Sequence, residues 1–224
     1  MQLPLKLNKN QSFADFFIPQ NSSNKFVLDS LQNIEQSTTQ IFYLFGDKLS
    51  GKSLLCSSLC QQFTNEGKTA LLFSAYDNRL QLKQLDAIDL ICLENIEAYD
   101  KNKIKQQQLF DLINRIITKK TAKIVISCHK KPNQFVDILP DLKSRLNWGL
   151  QLHLKNIKPN QMNDFIRFKL DRLGIRVQDE VLTYINNYFS RDIKNILELI
   201  KKISQKTIND KRTLTVPFLK SFRD

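Results

Sequence analysis

Five short apolar runs recur along the first two thirds of the chain, and stretches with helical spacing separate them. The runs lie at residues 41–45, 69–75, 87–93, 123–128 and 150–154. The intervening stretch 104–118 places five apolar residues on one helical face, namely Leu109, Leu112, Ile113, Ile116 and Ile117. Buried strands that alternate with helices are typical of a parallel sheet covered by helices. The pattern therefore predicts an α/β domain.

The pattern changes after residue 155, where only helical spacing remains. The predicted helices lie at residues 160–173, 178–189, 191–207 and 216–222. Since this part has no alternating strand pattern, we predict a small all-helical domain at residues 156–224. The α/β domain then covers residues 13–155, and residues 1–12 form a flexible N-terminal tail.

A glycine-containing stretch directly follows the first apolar run. Its sequence, GDKLSGKS, comprises Gly46, Asp47, Lys48, Leu49, Ser50, Gly51, Lys52 and Ser53. A strand that ends in such a turn before a helix is typical of a P-loop, whose backbone N–H groups face phosphate oxygens. Lys52 is then placed to reach the β- and γ-phosphates, and the Ser53 hydroxyl to bind Mg²⁺. The motif makes the α/β domain a candidate nucleotide-binding domain.

The segment before the first strand carries two apolar features of its own. Leu3, Leu5 and Leu7 alternate across an extended stretch. Such a tail is either a peptide that docks in an apolar groove of another protein or a disordered end, and the pattern supports both interpretations. Three phenylalanines within residues 13–17 then form a cluster that can pack over a nucleotide base or against the core.

Polar residues at the ends of the third and fourth runs fall at the same edge of the predicted sheet. Glu94 has the position of the acid that holds Mg²⁺, whereas Asp89 begins the same strand at the opposite edge. ATP-hydrolysing P-loop proteins of this type usually carry a second carboxylate after that acid, but Asn95 is an amide and cannot accept the proton of an attacking water. We therefore expect slow ATP hydrolysis by the chain itself. His129, after the fourth run, either approaches the γ-phosphate or is a surface histidine.

Residues 140–149, PDLKSRLNWG, place an arginine between two leucines on a short predicted helix. Arg145 is either a satisfied surface charge or an arginine that acts on the nucleotide of a neighbouring protein. The second kind raises the rate of hydrolysis by orders of magnitude, because it stabilises the charge of the transition state. Spacing alone does not choose between them.

The composition favours a globular protein of the cytoplasm. Hydrophobic residues make up 42% of the chain, no apolar run is long enough to cross a membrane, and the N-terminus lacks a signal-peptide pattern. The four cysteines form no CxxC pair, and the two histidines complete no obvious set of metal ligands. We therefore expect the cysteines to be reduced core residues.

The net charge of +12 favours an anionic partner, with nucleic acid as the first candidate. The charge is spread evenly, since residues 1–155 and residues 156–224 each carry a net charge of +6. Weak, salt-sensitive contact with DNA and a solvated basic surface are both compatible with this distribution.

Four segments together resemble the AAA+ ATPases of the replication initiator DnaA group and, within them, the DnaA-related regulators of the Hda type. Two of the segments are the P-loop and LICLENIE at residues 90–97, and a third is PDLKSRLNWG at residues 140–149. The fourth, here called the clamp segment, consists of Gln2, Leu3, Leu5 and Leu7. The resemblance covers nearly the whole chain and implies an AAA+ base followed by a helical lid.

The resemblance implies a regulatory role in DNA replication. In that family, a complex with the DNA-loaded β sliding clamp of DNA polymerase III stimulates hydrolysis of DnaA-bound ATP and so turns off initiation. By resemblance, the clamp segment binds the clamp, and Arg145 is the arginine finger that reaches the ATP of DnaA in trans. The P-loop, Glu94 and Asn95 hold the chain's own nucleotide, ADP or ATP, and its Mg²⁺ contacts Ser53 and Glu94. A homo-oligomer is also compatible with the family.

The chain departs from the family pattern at three positions. The acid that holds Mg²⁺ is Glu94 where Asp is usual, and the fourth run ends in His129 where relatives tend to have an acid. The lid arginine that senses the nucleotide is matched best by Lys194, with Arg191 as the nearest alternative. Lysine lacks the bidentate fork of arginine, which weakens the expected coupling of the lid to phosphate.

Two other classes of function are compatible with the sequence. An autonomous AAA+ ATPase, acting as a helicase-loader-like remodelling factor on DNA, requires turnover without a partner, and the amide of Asn95 argues against it. A direct DNA-binding module requires specific binding that survives moderate salt.

Overall fold

The computed structural model of the chain describes residues 11–77, 82, 85–120, 122–190, 192–207 and 214–222. The clamp segment and Arg191 lie outside the described residues. The chain divides into two compact units. The first comprises Ser23–Lys155 and the stretch that ends at Phe16, and the second comprises Asn156–Asp224 and Phe17–Ser22.

A parallel sheet forms the centre of the first unit. Its strands are β1 (Ile41–Phe45), β2 (Ala70–Ser74), β3 (Leu90–Glu94), β4 (Lys123–Cys128) and β5 (Leu150–His153). They lie in the order β2-β3-β4-β1-β5, and every neighbouring pair is parallel. The predicted α/β domain with a parallel sheet is confirmed.

Helices cover both faces of this sheet. The helices of the first unit are α1 (Asn24–Gln32), α2 (Lys52–Asn65), α3 (Lys103–Lys119) and α4 (Pro140–Trp148). All five side chains of β1 are buried, as expected for a strand covered on both faces. Side chains of α3 and α4, such as Leu112 and Leu146, share one core cluster with Ile91 and Ile126 of the sheet. The four cysteines are free and buried, as expected from the sequence.

The third strand begins later than the apolar run suggested. Residues Leu85–Ala87 form a 3-10 helix, and β3 starts at Leu90. Just before it, the Asp89 carboxylate accepts hydrogen bonds from the Thr69 N–H (2.8 Å) and the Thr69 hydroxyl (2.7 Å). This side-chain contact adds to the backbone pairing at the amino end of β3, where the Leu90 N–H donates to the Thr69 carbonyl (3.1 Å). It also holds Asp89 away from the carboxyl ends of the strands, as predicted.

The strand register brings the carboxyl ends of β1, β3 and β4 together. Phe45 pairs with Cys128, and Leu93 pairs with Ile126. The N–H of Gly46 continues the ladder by donating to the Cys128 carbonyl (3.3 Å). The residues that follow these three strands therefore meet at one edge of the sheet.

The second unit is helical and has a core of its own. Its helices are α5 (Met162–Arg172), α6 (Asp179–Tyr188), α7 (Ile193–Thr207) and α8 (Val216–Lys220). Phe165, Leu170, Ile185 and Ile203 belong to its buried cluster. None of the helices in the described ranges has the length and apolarity to span a membrane.

One short segment groups differently from the sequence-based division. Residues 13–155 were predicted to form the α/β domain, but Phe17–Ser22 clusters with the helical unit. The reason is the ring of Phe17, which lies 5.7 Å from the ring of Phe165 and 5.5 Å from that of Phe168, measured between centroids.

Candidate functional site

The loop after β1 has a backbone that only glycine accommodates at two positions. Gly51 has φ 102°, and a Cβ there would lie 2.6 Å from Cε2 of Phe16. A Cβ on Gly46 would lie 2.1 Å from the carbonyl oxygen of Leu154. Helix α2 follows at once, and the first N–H groups of a helix have no acceptor within it. The loop and helix thus form a cradle for an anion, with Phe16 against its glycine.

The side chain of Lys52 lies inside this cradle. Its ammonium donates to the carbonyl oxygens of Gly46 and Asp47, both at 2.7 Å. Burial lowers the pKa of Lys52, although the charges of Glu97 and Cys128 work in the opposite direction. The positive charge is therefore held at the centre of the loop, where phosphate oxygens would lie.

Glu94, the last residue of β3, lies beside the start of α2. Burial raises the pKa of Glu94, while a hydrogen bond from Ser53 and the charge of Lys52 favour its ionised form. Its Oε1 is buried and has no hydrogen-bond partner among the described residues. An unpartnered carboxylate oxygen next to a hydroxyl fits a hard divalent cation such as Mg²⁺. The cradle, Lys52 and this pair thus fit a nucleotide phosphate with its cation.

Asn95 has a structural role at the end of β3. Its backbone is left-handed, with φ 59° and ψ 46°, a conformation that asparagine tolerates better than most residues. Its Nδ2 donates to the Ser74 hydroxyl at the end of β2 (3.1 Å). The amide thereby ties together the ends of two neighbouring strands.

Glu97 joins the residues that follow β4. It lies in the 3-10 helix Ile96–Tyr99, and its Oε1 is 2.8 Å from Nδ1 of His129. The Cys128 thiol donates to the other carboxylate oxygen, Oε2, at 3.1 Å. Burial works against the charged form of Glu97, but hydrogen bonds from Cys128 and His129 hold its pKa below the usual value. Sequence reasoning assigned no role to Glu97, because its neighbours lie 31 and 32 positions away.

Arg145 lies half-buried on α4, a helix that Leu142 and Leu146 anchor in the core. Its guanidinium carbon is 5.6 Å from the ring centroid of Trp148, which is 64% exposed. Within the described part of the chain, the guanidinium has no ion pair and no hydrogen bond. Trp148 thus supports the Arg145 side chain, and the five N–H donors of the guanidinium have no acceptor among the described residues.

A buried amide fixes the loop that leads into α4. Gln106 is 1% exposed, and its Nε2 donates to the carbonyl oxygens of Tyr99 and Asp137, both at 2.8 Å. Its Oε1 accepts from the N–H of Leu139 (2.8 Å), the residue before α4. An ion pair between Lys103 and Asp137 adds to this anchor. Sequence reasoning missed Gln106, whose only signal is a polar residue on the apolar side of α3.

Lys194 lies in the helical unit, in the first turn of α7. Its side chain is exposed, and its backbone N–H donates to the Asp192 carboxylate (2.8 Å). The predicted site residues of the first unit, from the P-loop to Glu94 and Asn95, do come together at the carboxyl edge of the sheet. Arg145 lies on α4, which leads into β5.

Comparison with protein families gives two matches. Residues 161–222 match the lid domain of Hda, and residues 63–153 match the bacterial DnaA ATPase domain. A protein of Haemophilus influenzae, described as uncharacterized, is 28% identical to this chain over 226 residues. That similarity covers 98% of this chain and 96% of the relative.

Solved structures of DnaA share the fold of the chain. Domain III of the Thermotoga maritima replication initiation protein DnaA is 16% identical with a TM-score of 0.78, over 98% of this chain and all of that one. Replication initiator DnaA bound to AMPPCP and single-stranded DNA is 17% identical with a TM-score of 0.77, over 91% and 67% of the two chains. The two family matches and this AAA+ fold lead to one conclusion: the chain belongs to the DnaA-related AAA+ proteins and carries a lid domain of the Hda type.

Proposed function

We propose that this protein is a negative regulator of DNA replication initiation that stimulates hydrolysis of the ATP bound to DnaA. The observation that carries the proposal is Arg145, whose guanidinium rests on Trp148 and has no acidic partner in the described ranges. A guanidinium without an internal carboxylate or carbonyl partner keeps its donors available for another molecule. Held in this way, Arg145 is suited to stabilise the charge that develops on the phosphates of a neighbouring protein.

The chain's own nucleotide has a structural role in this proposal. Residues 46–53 bind the phosphates of ADP or ATP through the cradle and Lys52, while Ser53 and Glu94 hold Mg²⁺. The cation neutralises phosphate charge when bound. The amide of Asn95 donates to Ser74 and cannot accept a proton from water, so hydrolysis at this site is slow.

Lys194 is the nucleotide-sensing residue of the lid in this proposal. Lys194→Ala should therefore lower the affinity for ADP.

The partners follow from the family and from the clamp segment. DnaA is the target, and the β sliding clamp on DNA is bound by Gln2, Leu3, Leu5 and Leu7. Weak contact with DNA through the basic surface adds to this tether. Deletion of residues 1–7 should abolish clamp binding and leave ADP binding unchanged, which a pull-down and a nucleotide titration would measure side by side.

The direct test is hydrolysis of DnaA-bound ATP in the presence of clamp loaded on DNA. The wild-type protein should accelerate it, and Arg145→Ala should reduce the stimulation by about 10³-fold or more, as for other arginine fingers. Lys143→Ala removes a positive charge from the same helix and serves as the matched control that retains stimulation. Equal stimulation by the wild type and Arg145→Ala would refute the role of Arg145.

A single-protein ATPase assay separates this proposal from an autonomous remodelling ATPase. Regulation through a partner requires little turnover by the purified protein alone. Rapid turnover without DnaA would favour the helicase-loader-like alternative instead.

A further inference from the structure

We propose that Glu97, Cys128 and His129 form a binding site for a thiophilic divalent cation such as Zn²⁺, separate from the Mg²⁺ of the nucleotide. Their ligand atoms, one carboxylate oxygen, one sulfur and one ring nitrogen, all lie within 4.8 Å of one another. The fold fixes this arrangement, because β3 and β4 are neighbours and both end at the same sheet edge. The inference does not depend on any role in replication.

The donor set selects the class of metal. A thiolate, an imidazole and a carboxylate are the side chains that bind Zn²⁺, whereas Mg²⁺ and Ca²⁺ prefer oxygen ligands alone. The site offers three protein ligands within the described residues, which leaves one position of a tetrahedron for water or another small ligand.

The distances are close to what the metal requires. Bonds of about 2.0 to 2.3 Å to a tetrahedral ion place pairs of ligand atoms about 3.3 to 3.8 Å apart. The carboxylate oxygens of Glu97 now lie 2.8 Å from Nδ1 of His129 and 3.1 Å from Sγ of Cys128. Each contact uses a different oxygen of Glu97, and the three ligand atoms lie within 4.8 Å of one another, so metal binding requires these side chains to adjust to the spacing of a tetrahedral ion.

One backbone donor faces the sulfur and would stabilise a metal thiolate. The backbone N–H of Lys130 donates to Sγ of Cys128 at 3.3 Å, a contact that stabilises negative charge on sulfur. Cys128 is 1% exposed, whereas the His129 side chain is 34% exposed and gives the ion a route from solvent. The Tyr43 hydroxyl donates to the Lys130 carbonyl (2.8 Å) and so braces the turn that carries these ligands.

Binding exchanges a proton for the metal. The Cys128 thiol donates its proton to Oε2 of Glu97 at 3.1 Å. On binding, the S–H bond breaks, the sulfur–metal bond forms and the proton passes to water. The ammonium of Lys52 acts on Glu97 and Cys128 electrostatically and opposes the incoming cation.

Cobalt is the probe for the test, because a thiolate bound to Co²⁺ gives a charge-transfer absorption band. Full-length reduced protein should bind one Co²⁺ with this band, and Zn²⁺ should displace it. Cys128→Ser should abolish the band, and Glu97→Gln and His129→Gln should each weaken binding by about 100-fold or more. His153→Gln and Cys60→Ala change the other histidine and another buried thiol, so they serve as matched controls that retain the band.

Thermal unfolding provides a second readout that does not require an intact spectroscopic signal. Zn²⁺ should raise the midpoint of unfolding of the wild type and of both controls, and should leave that of Cys128→Ser unchanged. A band that survives Cys128→Ser, wild-type affinity in Glu97→Gln and His129→Gln, or the absence of a band in the wild type would overturn the proposal. In each case the three residues would be a hydrogen-bonded group only.

Discussion

The α/β unit holds its two candidate phosphate-binding cations in opposite ways. At the P-loop, the charge itself is fixed, because the Lys52 ammonium donates to two carbonyl oxygens of its own loop. On α4, the backbone is fixed by Gln106 and the core, while the Arg145 guanidinium lies over the Trp148 ring and has no hydrogen bond or ion pair among the described residues. The comparison shows that one unit can fix one cation with internal hydrogen bonds and leave another without them.

The difference implies different costs of mutation. Changes at Gly46, where the P-loop begins, should alter the stability of the fold, because Gly46 lies in close contact with Cys128 of β4 and with Leu154, which follows β5. Changes to the Arg145 side chain should alter activity toward a partner, since little inside the chain depends on it. Four predictions test this division, in order of decreasing effect on stability.

Gly46→Ala should have the largest effect on stability. The added Cβ would meet the Leu154 carbonyl oxygen at 2.1 Å, and backbone at this position cannot move without disturbing β5. We expect a loss of about 3 kcal/mol or more in the free energy of unfolding. Gly67→Ala is the control, because Gly67 has φ 76° but no atom near its Cβ position, and backbone strain alone costs about 1 to 2 kcal/mol. Denaturant titration measures both, and equal losses would contradict the role of the contact.

Gln106→Leu should be the next most costly change. It removes three hydrogen bonds and leaves the Leu139 N–H without its partner, whereas the carbonyls of Tyr99 and Asp137 each keep a backbone donor, so the cost should be about 1 to 3 kcal/mol. The neighbouring Gln107 contacts Asp111 at the surface, so Gln107→Leu should change stability by less than about 0.5 kcal/mol. Under conditions where Gln106→Leu is still folded, this variant should stimulate the hydrolysis of DnaA-bound ATP less than the wild type does, because the residue before α4 loses its hydrogen bond to Gln106. Full stimulation would show that Arg145 does not require it.

Arg145→Ala should change the free energy of unfolding by less than about 1 kcal/mol, the range of an exposed cation–π contact. The same variant is expected to lose stimulation of DnaA-bound ATP hydrolysis. A thermal melt of this variant beside the activity assay separates the two effects. A large loss of stability would show that Arg145, like Lys52, is held by interactions within the chain, and would contradict the contrast between the two residues.

Glu94→Gln should remove a small pH dependence of the free energy of unfolding that Glu94 gives the wild type. Burial raises the pKa of folded Glu94 above its ordinary value of 4.5, so the folded state binds this proton more tightly than the unfolded state. Stability of the wild type therefore falls as pH rises from that value through the raised one. Without nucleotide, Glu94→Gln should be more stable than the wild type at neutral pH, and the difference should vanish in acid. Unfolding curves across pH measure this, with Arg145→Ala as a variant whose pH profile should match the wild type.

Local patterns were sufficient to predict the strands and the phosphate loop. The apolar run at residues 123–128 became β4 without change, because a buried parallel strand is a continuous apolar segment. The P-loop was also predictable from local sequence, because its glycines, Lys52 and Ser53 lie within eight consecutive residues.

Contacts between distant segments could not be predicted in this way. The proximity of Glu97 to Cys128 and His129 depends on the pairing of β3 with β4, which no local periodicity encodes. The same is true of Gln106, whose partners Tyr99 and Leu139 lie on either side of α3. Phe17 was placed with the wrong unit because its neighbours Phe165 and Phe168 come almost 150 residues later.

The strand order has a consequence for how the protein folds while the ribosome synthesises it. Residue Ile41 of β1 pairs with Ile124 on one side, and Phe42 pairs with Leu150 on the other, so β1 has no strand partner until most of the unit has been synthesised. Pairings across such long stretches of chain form slowly. The phosphate loop begins where β1 ends, and it therefore matures late, when the emerging chain has reached β5. Any nucleotide that stabilises this loop would act on an almost completed domain and could not guide its earliest folding steps.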